Sequence, residues 1–276
     1  MTSPLTPTPP NEPRAAEHLE RARDLAVAIR RHVVRMAGGP TGAHVGGSLS
    51  CAEILASLHA TVMTEADAFV LSKGHAAPAL YGLLAEQGTL DSAELEEYAQ
   101  PGSRLFGHPP RGLPGVVFPT GSLGHGLGLS LGLATGNALS RRGGRVFVLL
   151  GDGELQEGSV WEAVMYAGHA RTPGLVAVVD RNGAQITGTT EDTVTLEPLS
   201  DRFTSFGWTA RDVDGHDCAA LRAALDQSSD RPIAVIARTV KGRGVPFLEN
   251  RVTSHYATFK PQIVQRALAA LFQETQ

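Results

Sequence analysis

The sequence predicts an α/β fold, a parallel sheet sandwiched by helices. Two observations lead there. The segments "DAFVLS", "RVFVLL", "LVAVVD" and "PIAVIAR" are short, nearly continuous apolar runs rather than alternating ones, which is the signature of strands buried on both faces. Between them lie stretches of helical periodicity, so that strands and helices alternate along the chain.

The elements follow in order. Between Ala15 and Met36, the residues Leu19, Ala22, Leu25, Ile29, Val33 and Met36 fall on one helical stripe. Ser50 is placed to cap a second helix, "CAEILASLHATV". The strand "DAFVLS" leads to a helix from about Pro78 to Glu86 and to a short one in "DSAELEEYA". A Gly-rich loop runs from Pro101 to about Gly124. The segment "GLGLSLGLATGNALSRR" reads as a helix whose glycines imply tight packing. Then come strand "RVFVLL", helix "SVWEAVMYAGHA", strand "LVAVVD", strand "WTARDV", helix "DCAALRAALDQ", strand "PIAVIAR" and a last helix from about Pro261. No internal repeat or shift of composition divides residues 15–276, which read as one domain. Residues 1–14, containing "MTSPLTPTPPNEP", are Pro-rich and read as a disordered tail.

Bulk properties exclude several function classes. A chain of 276 residues can bury a sizeable core. Its formal net charge of −4 gives no basic excess for nucleic acid or an acidic membrane surface. No apolar run approaches the roughly 20 residues that span a bilayer, and the N-terminus lacks the basic and apolar regions of a signal peptide. The two cysteines, Cys51 and Cys218, form no CxxC pair, which argues against a disulfide scaffold or zinc site and fits a reducing cytoplasm.

Chemistry concentrates where two strands end. "VFVLL" runs into Gly151-Asp152-Gly153, and "LVAVVD" into Asp180-Arg181-Asn182-Gly183. In a parallel α/β sheet, ligands bind at the carboxyl ends of the strands. If these strands are neighbours, Asp152 and Asn182 emerge side by side. A carboxylate, an amide oxygen and a nearby carbonyl make half of an octahedral shell for a hard divalent cation such as Mg²⁺, which phosphate oxygens and water complete. Either dipeptide alone also reads as an ordinary Asp-Gly or Asn-Gly turn. Among the three glutamates that follow, Glu154 is read as a solvated first-turn residue favoured by the helix dipole.

"GDGELQEGSVWEA" followed by "VVDRNGAQITG" resembles the thiamine diphosphate motif, GDG with an Asn about 30 residues on. More narrowly, the chain from about Ala15 to Leu271 resembles the N-terminal half of transketolases. "HVGGSLS", "LSKGHAAPALYGLLAEQG", "FGHPP", "PTGSLGHGLG" and "TVKGRGVPFLEN" also carry the likeness. The resemblance implies a thiamine diphosphate-binding, pyrophosphate-type fold. It implies Mg²⁺ (or Ca²⁺) on Asp152, Asn182 and the Ala184 carbonyl, with Gly153 on the diphosphate. Gly121 and Leu123 match a loop that touches the cofactor. Glu157 matches a position at the dimer interface near the cofactor's activating carboxylate. Glu162 also belongs to the pattern, and both a structural salt bridge and a catalytic role stay open for it.

Four of the ten histidines, His44, His75, His108 and His255, fall at the family's substrate-channel positions. His75 also counts among the cofactor contacts. The resemblance implies that they bind sugar hydroxyls and shuttle protons, work that suits imidazole because its pKa lies near neutrality. His18, His32, His59, His169 and His216 read as structural. His125, where the family has Gln, Val45 in "GAHVGG" and the "SHY" at 254–256 depart from the pattern near the substrate.

Transketolases of full length continue into a second domain that supplies the glutamate against the cofactor's aminopyrimidine. The resemblance therefore implies the N-terminal subunit of a split, two-component enzyme, active only with a C-terminal partner chain in an α₂β₂ heterotetramer. The implied reaction is transfer of a two-carbon ketol unit from a ketose to an aldose through a thiamine diphosphate-bound enamine, on sugars or sugar phosphates. Two alternatives share the GDG…N site: a subunit of a thiamine-dependent 2-oxo acid decarboxylase or dehydrogenase, and a non-catalytic cofactor-binding half. The chain alone is expected to expose apolar surface around Leu155, Val160 and Trp161.

Overall fold

The computed structural model describes residues 12–273. The tail read over residues 1–14 lies outside the described residues except for 12–14, which open helix α1 (Glu12–Ala37). Next come α2 (Ala52–Ser57), strand β1 (Ala68–Leu71), α3 (Ala77–Glu86) and α4 (Gly126–Leu139). The second half alternates β2 (Val146–Gly151), α5 (Gly158–His169), β3 (Leu175–Arg181), α6 (Leu199–Ser205), β4 (Thr209–Asp214), α7 (Cys218–Leu225), β5 (Ile233–Arg238) and α8 (Pro261–Gln273).

The five strands form one sheet in the order β1-β2-β3-β5-β4, every neighbouring pair parallel. Successive side chains point to opposite faces, and each face has its own core. Phe147, Leu149, Val176, Val178 and Val235 pack beneath α1, α2, α3, α7 and α8. Val146, Val148, Leu150, Ala177, Val179 and Ile236 pack beneath α4, α5 and α6. A sheet buried on both faces explains why β2 and β3 read as unbroken apolar runs. β4, at the edge, is largely exposed or half-buried.

Local signals set the helix ends. Pro78 stands in the first turn of α3, where its missing N–H has no helical partner to lose. Gly88, with φ +71°, follows that helix in the left-handed region. The Asp217 side chain accepts hydrogen bonds from the Ala219 and Ala220 amides and caps α7.

Three expectations change. Ser50 does not cap α2: the cap position is Cys51, which makes no side-chain cap bond, and the Ser50 hydroxyl turns to Asp180 instead. The α4 glycines are not uniformly packed. A Cβ on Gly126 would lie 2.2 Å from Ser72 Oγ, whereas one on Gly128, Gly132 or Gly136 would meet nothing within 4 Å. Leu155 and Val160 are fully buried within this chain, and Trp161 is half-buried with its indole N–H on the Leu155 carbonyl at 2.6 Å. Exposed apolar side chains among the described residues include Leu129 on α4, Met165 and Tyr166 on α5, and Phe206, whose ring lies 6.4 Å from that of Trp161.

Candidate functional site

Gly151 at the end of β2 pairs with Asp180 in β3, so Asp152 and Asn182 do leave neighbouring strand ends. Asp152 is buried, and each of its oxygens is engaged. Oδ1 accepts the Gly153 amide at 2.8 Å; Oδ2 accepts the Gly183 amide at 2.6 Å and the Arg181 guanidinium at 3.0 Å. Gly183 takes φ +77°, the left-handed turn that aims its amide back at Asp152. Burial, with Asp180 close by, pushes the Asp152 carboxyl above its ordinary range against the pull of Gly183 and Arg181. Asn182 Oδ1 accepts the Ala184 amide at 3.1 Å, and its Nδ2 donates to Asp180 at 3.2 Å. The Ala184 carbonyl accepts from Lys241 Nζ at 2.9 Å.

Two buried ammonium groups face this corner. Lys73 donates to the Gly47 carbonyl at 2.8 Å and pairs with Asp180, which also accepts the Ser50 hydroxyl at 2.6 Å and the Thr239 hydroxyl. Burial alone would depress the Lys73 pKa; the Asp180 carboxylate outweighs it and keeps the ammonium charged. Among the described residues Lys241 makes no ion pair with a carboxylate. Burial, with Lys73 nearby, lowers it to about 8.

The four histidines form one cluster. A short antiparallel bridge pairs Ala43 with Ala257 and His44 with Tyr256, which brings His255 beside His44. The His44 ring lies 5.7, 5.6 and 5.4 Å from those of His75, His108 and His255, and His75 stacks on His255 at 5.3 Å. Burial lowers His44 to about 4, with His108 adding to it, and lowers His255 to about 4, with Lys241 adding to it. His75 lies well below its usual value and His108 below it, again chiefly through burial. All four are neutral imidazoles near pH 7, each able to donate at one nitrogen and accept at the other. His44 Nδ1 is buried without a hydrogen-bond partner.

One cavity of ≈ 420 Å³ gathers Asp152, Gly153, Glu157, Asn182, Ala184, Gly121, Leu123 and the four histidines; Glu162, for which a catalytic role was left open, is not among its lining residues. Sequence reasoning did not single out Lys73, Lys241 or Gln185, which line it too. It also misread Glu154, which is buried rather than solvated: its carboxylate accepts from Ser72, Gly124 and Gly151. Glu157 and Glu162 are exposed. His32 pairs with Glu86 at 2.7 Å and His216 with Glu53 at 3.1 Å. His125 is exposed, its Nδ1 donating to the Leu123 carbonyl at 3.1 Å.

The corner fits a diphosphate and its cation. Among the described residues no group of three or more His, Cys, Asp or Glu is placed to hold a metal ion. Asp152, Asn182 and Ala184 offer instead a carboxylate, an amide and a carbonyl oxygen, the donors that hard cations take. Lys73 and Lys241 bring positive charge, and Gln185 Oε1 is buried without a partner. A Cβ on Gly47 would intrude 3.3 Å from His75 Nε2 and 3.5 Å from Lys73 Nζ, so glycine there keeps the cradle open.

Comparison with known proteins agrees. Residues 22–273 match the family described as transketolase, thiamine diphosphate binding domain. The chain is 36% identical over 239 residues to an apulose-4-phosphate transketolase subunit from Phocaeicola vulgatus, covering 82% of this chain and 85% of that one. It is also 36% identical over 262 residues to the 6-deoxy-6-sulfo-D-fructose transketolase subunit SqwG of a Clostridium species, covering 90% and 95%. Among solved structures it superimposes on transketolase from Leishmania mexicana with a TM-score of 0.85 at 27% identity, and on that from Campylobacter jejuni with 0.83 at 27%. In those pairs it covers 91% and 93% of its own length but only 41% and 43% of theirs, so it spans about two-fifths of a full transketolase chain. The relatives named as subunits are matched over nearly their whole length, and the chain belongs to the transketolase family, as its thiamine diphosphate-binding domain.

Proposed function

We propose that residues 15–276 are the thiamine diphosphate- and Mg²⁺-binding subunit of a two-component transketolase, which moves a two-carbon ketol unit from a ketose to an aldose. The observation that carries this is one cavity holding both Asp152, Asn182 and Ala184 and the four neutral histidines. The first set would hold the cation, and Gly153 and Lys241 the diphosphate beside it. When bound, the cofactor supplies the electron sink for breaking and forming a carbon–carbon bond. His44, His75, His108 and His255 bind sugar hydroxyls and pass protons at them. A neutral imidazole can accept a hydroxyl proton and return it, which an imidazolium cannot. A 2-oxo acid substrate has no row of hydroxyls for such a cluster, which weighs against decarboxylase chemistry.

Relatives that are themselves named as transketolase subunits support a separate partner chain, and an α₂β₂ assembly is the arrangement proposed. Leu129, Met165 and Tyr166 are apolar surface suited to burial in such an assembly. No described helix is long and apolar enough to cross a membrane, and both cysteines are free and buried, which accords with work in the cytoplasm.

The test is an assay of this chain alone, and mixed with a chain resembling the C-terminal half of transketolase, with Mg²⁺, thiamine diphosphate, a ketose-phosphate donor and an aldose acceptor. The mixture should turn over, saturating near one to one, and the single chain should not. Robust turnover by the single chain contradicts the two-component reading.

A further inference from the structure

Glu154 lies one position after the Gly-Asp-Gly turn, in a short 3₁₀ turn (Gly153–Gln156), and is 2% exposed. Its carboxylate collects three donors from three separate segments. Oε1 accepts the Ser72 hydroxyl at 2.5 Å, from the chain leaving β1, and the Gly124 amide at 3.0 Å, from the Gly-rich loop. Oε2 accepts the Gly151 amide at 3.1 Å, at the end of β2. A buried carboxylate with every contact a donor acts as a fixed acceptor, not as a reacting group.

The segment it grips is held on every side. The Gly124 carbonyl accepts the Ser159 hydroxyl at 3.1 Å, and the Thr120 hydroxyl donates to the Leu71 carbonyl at 2.7 Å. Gly124 sits at φ +85°, where a Cβ would lie 2.6 Å from Ser159 Oγ and 2.7 Å from Glu157 Cβ. A Cβ on Gly74 would lie 2.9 Å from the Gly121 amide nitrogen, and one on Gly126 would strike Ser72. The strand ends thus form a floor, and residues 120–126 are laid on it. Gly121 and Leu123 of this segment line the cavity, while Glu154 supplies the only side-chain acceptor for the Gly124 amide among the described residues.

We propose that Glu154 is a positioning residue that clamps the Gly121–Gly124 segment to the ends of β1 and β2, and so sets the affinity for thiamine diphosphate. This rests on the proposed cofactor site. The carboxylate is the group required, because an amide presents one oxygen and one NH₂. In Glu154→Gln the NH₂ must face either the Gly151 amide or the Gly124 amide, donor against donor, although the Ser72 hydroxyl can turn to accept. One end of the clamp opens while side-chain volume is kept.

The experiment uses the full chain assembled with its partner chain, and compares wild type, Glu154→Gln and Ser72→Ala. Three quantities are read: hydrogen exchange of amides 121–126, thermal midpoint, and affinity for thiamine diphosphate at fixed Mg²⁺ by calorimetry. The expected result for Glu154→Gln is amide exchange in the segment at least 10-fold faster and a cofactor Kd about 10-fold higher. Turnover is restored at saturating cofactor. Ser72→Ala, which removes one donor and leaves the carboxylate, shows the same changes at smaller size and stands in should Glu154→Gln fail to fold. Unchanged exchange and Kd in the variants overturn the proposal. So does a lowered thermal midpoint with unchanged Kd, which marks a purely structural residue. Wild-type protein that takes up no thiamine diphosphate defeats the underlying cofactor-site reading, and the affinity role falls with it. If its variant nevertheless loosens residues 121–126, only the clamp itself stands.

Discussion

Lys73 and Asp180 form an ion pair across the end of β2, a strand to which neither belongs. Lys73 follows β1, Asp180 lies in β3, and the lysine stem passes over Gly151, where an added Cβ would be 3.7 Å from Lys73 Cβ. The side chains are 1% and 0% exposed. Such a pair ties three strand ends together beneath the cavity. Both charges are desolvated, so the pair is costly to break rather than strongly stabilising.

Replacing Lys73 by Met is therefore expected to destabilise the fold by about 3–5 kcal/mol, because Asp180 is left as an uncompensated buried charge. Asp180→Asn added to Lys73→Met should recover part of that loss. Urea unfolding of the single and double variants measures it; additive losses would mean that the two residues are not coupled.

His44→Ala and His108→Ala should lower turnover of the assembled enzyme by about 10² to 10⁴ while leaving cofactor affinity near wild type, since positioned proton transfer is worth that much. Steady-state kinetics paired with calorimetry separates the two effects. Wild-type turnover in both variants would remove these rings from the reaction.

Burial also makes stability depend on pH. His44 and His59 have an ordinary value of 6.5 and are held down to about 4 in the fold. Above 6.5 both are neutral whether the chain is folded or not. Between about 6.5 and 4 the unfolded chain takes up protons that the folded chain refuses, so stability falls as pH falls. The thermal midpoint should drop steadily across that window, and His59→Gln should make the slope shallower. An acid slope that His59→Gln leaves unchanged would show that this ring is not buried neutral.

Much of this was readable beforehand because the relevant signals are local. Buried parallel strands announce themselves as apolar runs, and glycines mark where the chain turns at their ends, so Asp152 and Asn182 could be placed together without coordinates. What escaped depends on tertiary burial. Glu154 carries the local signature of a solvated first-turn residue; only Ser72 and Gly124, from distant segments, make it a buried acceptor. Ser50 looks like a helix cap until Asp180 comes within 2.6 Å. Leu155 and Val160 looked like interface because the family motif lies near one, yet they fill this chain's own core. For the lysines a signal was present: the chain has 3 lysines against 21 arginines, and Lys73 and Lys241 both line the cavity.

The proposed site puts the cation and diphosphate of the cofactor at the ends of β2 and β3. The most direct measurement is calorimetric titration of thiamine diphosphate, with and without Mg²⁺, into the assembled wild type and the Asp152→Ala and Asn182→Ala variants. The account predicts tight Mg²⁺-dependent binding by wild type and none by either variant. It also predicts that Asp152→Ala, which strips a buried acceptor from Gly183 and Arg181, costs about 1–3 kcal/mol of stability without unfolding the chain. Folded variants that bind thiamine diphosphate with wild-type affinity and the same Mg²⁺ dependence would contradict it.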